Sequence, residues 1–233
     1  MSRKTLIQTV NAVMRLLRRS EVGSCSDTPY SRLVCDLVND AVEHVEGEYR
    51  WSALYTETSF STVSGTQEYA LTSWQDRGVL GVADETSKQV RPGKAIRLVD
   101  GSANYYPVVK SDQFFNQLST TIDNARPYYY RPYAPDSSGD LQVQFYPTPD
   151  AAYSCTAYGY VGQGSITADA TLLLVPSTPV ILFAFAQAIR ERGEDGGTSA
   201  VEVLEQAEDA LQKAIDVDQG SRAGGNVFAW SVV

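Results

Sequence analysis

The apolar positions of this chain keep helical spacing at both ends and strand spacing in the middle. Leu6, Val10, Val13 and Leu17 recur at intervals of four, three and four, with Arg3, Lys4, Arg15, Arg18 and Arg19 on other faces. That pattern predicts an amphipathic helix. A turn-rich stretch, SEVGSCSDTPYS, follows. A second helix is predicted from near Ser31, where Val34, Val38, Ala41 and Val45 repeat the spacing, to about Gly47. A third is signalled by PSTPVILFAFAQAIRERGEDGG, with Thr178 as N-cap, Pro179 at the first helical position and Gly193 with Gly196–Gly197 as the stop. It is apolar nearly all round (Ile181, Leu182, Phe183, Phe185, Ile189), so it is expected to be the central helix. A fourth runs from about Ser199 to Asp218. Its stripe is Val201, Leu204, Ala207, Leu211 and Ile215, with Glu202, Glu205, Glu208, Asp209 and Asp216 off it.

Between Tyr55 and Val161 the period changes. TETSFSTV, QEYAL, GVLGVA, KAIRLV, RPYYYRPY, LQVQFYP and AYSCTAYGYV are short, β-branched and aromatic, and Gly-, Asp- and Pro-containing turns separate them. In LQVQFYP the residues Leu141, Val143 and Phe145 alternate with Gln142, Gln144 and Tyr146, as in a strand with one wet face. SDQFFNQL reads as a short helical interruption. Each flanking helix pair is too small to stand alone. The expected fold is therefore α+β: a four-helix bundle formed by the N- and C-terminal helix pairs, with an antiparallel β module inserted between them. The expected parts are residues 1–50 and 166–219 as bundle helices, 51–165 as the β module and 220–233 as an extended C-terminal arm. Trp51 stands where the second helix gives way to the first strand and is expected to be a buried junction residue.

Charge narrows the function. The net charge is −9 with a sequence pI near 4.6, the opposite of what a tight phosphate-gripping surface needs. The charge is also unevenly placed. The first nineteen residues are basic with no acid among them, whereas Arg190–Asp218 carries nine acidic residues against three basic. Three cysteines (Cys25, Cys35, Cys155) without a CxxC pair read as reduced apolar residues of a chain made in a cytoplasm. The apolar run Val180–Ile189 is too short to span a bilayer, so no membrane association is expected.

Candidate chemistry is sparse. His44 is the only histidine, and it sits beside the apolar stripe of the second helix, so a Ser–His–Asp or Cys–His mechanism would depend on it. The acidic pairs Asp84/Glu85 and Glu194/Asp195 lie in turn-like sequence. Gly159, Gly162 and Gly164 lack the lysine and the strand–turn–helix frame of a phosphate loop. No catalytic residue, metal ligand or cofactor is expected. In RPYYYRPY, arginines interleave with tyrosines, which base stacking would use, but two prolines suit an edge strand or interface arm. Tyr128, Tyr129, Tyr130 and Arg131 are therefore candidate protein-interface residues.

The stretch EYRWSALYTETSFSTVSGTQEYALTSW ends a helix with a Trp and continues into an acidic strand, a Gly turn and EYAL. It resembles the head-to-tail adaptor (head-completion, tail-tubular) proteins of tailed bacteriophages. LQVQFYPTPD, AYSCTAYGYVG and LLLVPSTPVILFAFAQAIRERGED fit the same family, so the resemblance spans about Thr5–Asp218. Ser73–Trp74 departs from the Leu-Pro and acidic residue that relatives often carry. The resemblance implies a non-enzymatic virion protein of the neck, made in the bacterial host cytoplasm. It implies a homo-oligomeric ring, commonly twelve-fold, that joins the portal to a tail tube or nozzle and lets the genomic double-stranded DNA pass without specific binding. It also implies that the C-terminal arm reaches toward the portal. There Val227, Phe228, Trp230, Val232 and Val233 are uncharged and crowded, with Phe228 and Trp230 as anchors. Two other readings compete: a receptor- or glycan-binding tail protein using the tyrosine-rich β module, and a cell-wall-cleaving enzyme carried in the virion.

Overall fold

In the computed structural model, residues 3–72, 74, 78–83, 90–91, 95–118, 124–193 and 200–222 are described. The first helix, α1 (Leu6–Leu16), begins at Thr5, whose hydroxyl accepts from the Gln8 N–H while the Gln8 side chain accepts from the Thr5 N–H. This reciprocal box satisfies two otherwise orphaned donors. It ends in a tight turn: the Arg19 N–H donates to the Met14 carbonyl and the Arg18 N–H to Arg15, with Arg18 at φ 55. Helix α2 (Pro29–Glu48) starts earlier than the apolar spacing predicts, because Thr28 caps it through Ser31 and Pro29 takes its first position.

A 3₁₀ turn (Ser52–Leu54) leads into the strands β1 (Tyr55–Ser61), β2 (Glu68–Ala70), β3 (Gly78–Leu80), β4 (Val82–Ala83), β5 (Val90–Arg91), β6 (Ile96–Asp100), β7 (Ala103–Tyr105) and β8 (Val108–Val109). The short helix α3 (Asp112–Asn116) follows, then β9 (Tyr129–Tyr133), β10 (Gln142–Tyr146) and β11 (Ser154–Val161). Helices α4 (Ser177–Arg192) and α5 (Ala200–Arg222) complete the described chain. Contacts divide the chain into two units, Met1–Leu54 with Gly162–Val233, and Tyr55–Val161.

In the strand unit β11 is the spine. One edge pairs antiparallel with all of β1, from Tyr55↔Tyr160 to Ser61↔Ser154, and the other pairs with β6 and then β3. A second sheet runs in the order β2-β10-β9-β8, and β4 with β5 forms a small ribbon. Inward positions of the two larger sheets meet in one core of Leu71, Trp74, Leu98, Tyr130, Val143 and Phe145, among others. Val143 and Phe145 lie on the buried face of β10, as period-two alternation requires.

The helical unit corrects the expected four-helix bundle. In a bundle every helix packs against two neighbours, but α5 packs chiefly on α4, while α1 and α2 pack on α4 and on each other. Helix α4 is a hub, not one of four equal staves. The reason lies in α5: its buried stripe is Val203, Ala207, Leu211, Ala214 and Ile215, and contact with α4 consumes it. Val201 and Leu204, expected in that stripe, are exposed. Two helix boundaries also differ from expectation. Helix α4 begins at Ser177 with Pro176 as cap, two residues before the expected Thr178 N-cap. Pro179 is tolerated there because the first four N–H groups of a helix have no intrahelical partner. Helix α5 runs through Gly220 to Arg222, beyond the expected start of the arm; one glycine costs a helix only about 1 kcal/mol.

Candidate interaction surfaces

Several polar side chains of the helical unit hold irregular backbone. Three side-chain amides each bond to the main chain as a donor–acceptor pair. Asn11 accepts from the Val22 N–H and donates to the Val22 carbonyl, both at 2.9 Å. Asn39 does the same at Ile166, accepting at 2.8 Å and donating at 3.2 Å. Gln163 donates to the Leu172 carbonyl and accepts from the Leu174 N–H. Buried Glu46, seven residues beyond Asn39 and so on the same stripe of α2, accepts from the Gln163 N–H at 2.9 Å. A Cβ on Gly162 would come within 2.6 Å of its other oxygen, so this glycine serves close packing. The segment 162–175 is further tied to the start of α1: Leu6 N–H donates to Thr171, and Leu173 N–H to Lys4. Replacing Asn39 by alanine leaves the Ile166 N–H and carbonyl without these partners, at an expected cost of about 1–3 kcal/mol. Urea unfolding at unchanged slope measures it.

Trp51 is 2% exposed. Its indole N–H donates to the Val45 carbonyl at 2.7 Å, one of the last four carbonyls of α2, and its ring meets Tyr49 edge-on at 5.1 Å. Beside it a cleft of about 310 Å³ is lined by Arg3, Lys4, Leu174, Pro176 and Val217. The Asp218 carboxylate closes one side, accepting from the Ser52 N–H and hydroxyl.

In the strand unit three of the four candidate residues, Tyr129–Arg131, lie in β9 and divide by alternation, and Tyr128 precedes the strand. Tyr130 points inward with no exposure, and burial pushes its hydroxyl pKa up. Tyr129 and Arg131 point to the other face, against α3. The Tyr129 ring meets Phe114 edge-on at 5.2 Å, and Lys110 lies over both rings. Arg131 donates to Gln144 at 2.8 Å and to Asp112 at 3.0 Å while lying over Phe115 and Tyr133. Tyr128 is 52% exposed, and Arg126 lies over both the Tyr105 ring, 3.7 Å from its centroid, and the Tyr128 ring, at 5.6 Å. With Tyr106 and Val108 also exposed along the edge strand β8, this is an aromatic and cationic ridge.

The other candidates fall elsewhere. His44 is exposed, its ring edge-on to Phe183 at 4.7 Å. Gly159 is part of β11, and a Cβ there would meet the Val79 carbonyl oxygen at 2.3 Å. Burial raises the Cys155 thiol to about 12 and also raises Cys25 and Cys35, all three of which are unpaired. Asp169 is held below the usual carboxylate range by the Ser24 hydroxyl and the Cys25 N–H. The pairs Asp84/Glu85 and Glu194/Asp195 and the arm residues Val227, Phe228, Trp230, Val232 and Val233 lie outside the described residues. Among the described residues no group of three or more His, Cys, Asp or Glu is placed to hold a metal ion, and no helix is long and apolar enough to cross a membrane.

A comparison with curated proteins finds no match. The SU10 adaptor protein family, however, matches residues 4–228, nearly the whole chain. The chain belongs to that family, and is a structural adaptor of a tailed phage.

Proposed function

We propose that this protein forms a ring in the virion neck, joins the portal of the head to the tail and encloses part of the channel through which the genome leaves. The observation that carries this reading is the family match over 4–228. The net charge of −9 supports the channel role, because a lumen that repels phosphate lets DNA slide. The rivalling glycan-binding reading draws on the exposed tyrosines. It is weakened by Arg126 over Tyr128 and Arg131 over Tyr133, each of which occupies a face of an exposed ring that a sugar would stack on.

The arm supplies the portal contact, with Phe228 and Trp230 inserted into a groove of the portal and the uncharged run around them docking as an extended segment. Deleting Asn226–Val233 is expected to leave the melting temperature of the free protein unchanged while co-sedimentation with portal falls. Binding that survives the deletion would remove the arm from the portal contact.

A further inference from the structure

Helix α5 carries six acidic residues against two basic ones, Lys213 and Arg222. The acids are not scattered. Glu205, Asp209 and Asp216 are spaced by four and seven residues and so share one stripe, opposite the buried Val203, Ala207, Leu211 and Ala214. Glu205 and Asp216 stand about 16 Å apart along the axis. Like charges four residues apart, as Glu205 and Asp209 are, destabilise an isolated helix. The stripe is flanked by Val201 at 64% exposure and Val217 at 59%, apolar side chains that water covers in the single chain. A face that combines self-repelling charge with exposed aliphatics is better satisfied against a basic, partly apolar surface.

The same unit presents such a surface. Past the end of α1, Arg18 and Arg19 are exposed, as is Leu16 at 46%, and Arg19 lies over the ring of Tyr30, two residues before the exposed Arg32 at the start of α2. Arg18 occupies, at φ 55, the left-handed position that ends the helix. Glycine fits that position best and a bulky side chain is strained there. Local stability is thus given up while a cation is kept. The two faces differ in sign and lie on different helices of one chain, so a contact between them is head-to-tail. Repeated with a closing rotation, such contacts generate a ring.

We infer that neighbouring copies join through the acidic outer face of α5 on one copy and the Arg18–Arg19–Arg32 surface of the next. This deepens the ring-forming reading and rests on it. The test uses the full chain and purified portal rings, with native mass spectrometry counting copies bound per portal. Two double variants, Glu205→Arg/Asp209→Arg and Arg18→Glu/Arg19→Glu, change only exposed positions, and circular dichroism checks that they fold. Each alone is expected to load at least about tenfold less than wild type, since like charges then face each other at every joint. Mixed in equal amounts they are expected to recover, because an alternating ring restores opposite signs at every joint. Equal loading of either variant and wild type, or mixing without recovery, overturns this interface while leaving the adaptor reading intact. Wild type that does not load at all overturns both.

Discussion

Replacing Trp51 by alanine is expected to destabilise the protein by about 3–5 kcal/mol, the range for removing a fully buried large aromatic side chain. Two losses combine. The indole is 2% exposed and packs edge-on with Tyr49, so its removal leaves a cavity. It also satisfies the Val45 carbonyl at the C-terminal end of α2, where Tyr49 has extended backbone and the intrahelical ladder has run out. Trp51→Phe separates the two: it keeps most of the ring volume and loses the hydrogen bond, at an expected cost of about 1–3 kcal/mol for the buried acceptor left open. Denaturant unfolding of both variants measures the difference. An unchanged midpoint for Trp51→Ala would show that the residue is not core.

Trp74 makes the corresponding prediction for the strand unit. Its ring is 1% exposed and lies on two glycines: a Cβ at Gly78 would meet Trp74 Cε3 at 2.7 Å, and one at Gly159 would meet its ring edge at 2.7 Å. Its indole N–H donates to the Thr58 hydroxyl at 2.7 Å. Trp74→Ala is expected to cost about 3–5 kcal/mol through the cavity alone. Gly159→Ala works in the opposite sense, by overfilling, with an expected cost of about 1–3 kcal/mol. The upper end of that range applies, because the nearest atom, at 2.3 Å, is the Val79 carbonyl oxygen of paired β3 and not the tip of a flexible side chain. Thermal unfolding of the two variants checks both losses. Gly159→Ala with wild-type stability would contradict the close packing of β11 on β3.

Much of this was legible in one dimension. Period-four and period-three apolar spacing marked α1 and α2, and alternation marked β10, because each element buries a single face. The helix count did not carry the arrangement. Whether α5 closes a bundle depends on which of its apolar residues face α4, and Val201 and Leu204 are as apolar in sequence as the buried Val203. The Tyr128–Arg131 run shows the same limit at a surface. Composition groups four residues, but Tyr128 precedes β9, and within the strand only strict period two separates inward Tyr130 from outward Tyr129 and Arg131. Asn39, Glu46 and Gln163 escaped sequence reading because their partners are main-chain groups far away in the chain, between |i−j| of 9 and 127. One signal was available: Asn39 and Glu46 are seven residues apart beside an apolar stripe, an unusual place for polar side chains without buried partners.

The central claim, that this SU10-family adaptor is a ring at the portal, is tested most directly by electron cryomicroscopy of the full-length protein mixed with purified portal. The expected image is a closed ring of copies, coaxial with the portal and stacked on its tail-facing end, with the channel continuous through both. Portal rings that remain bare at saturating protein, or the protein found on the receptor-binding tip of the tail in intact virions, would contradict it.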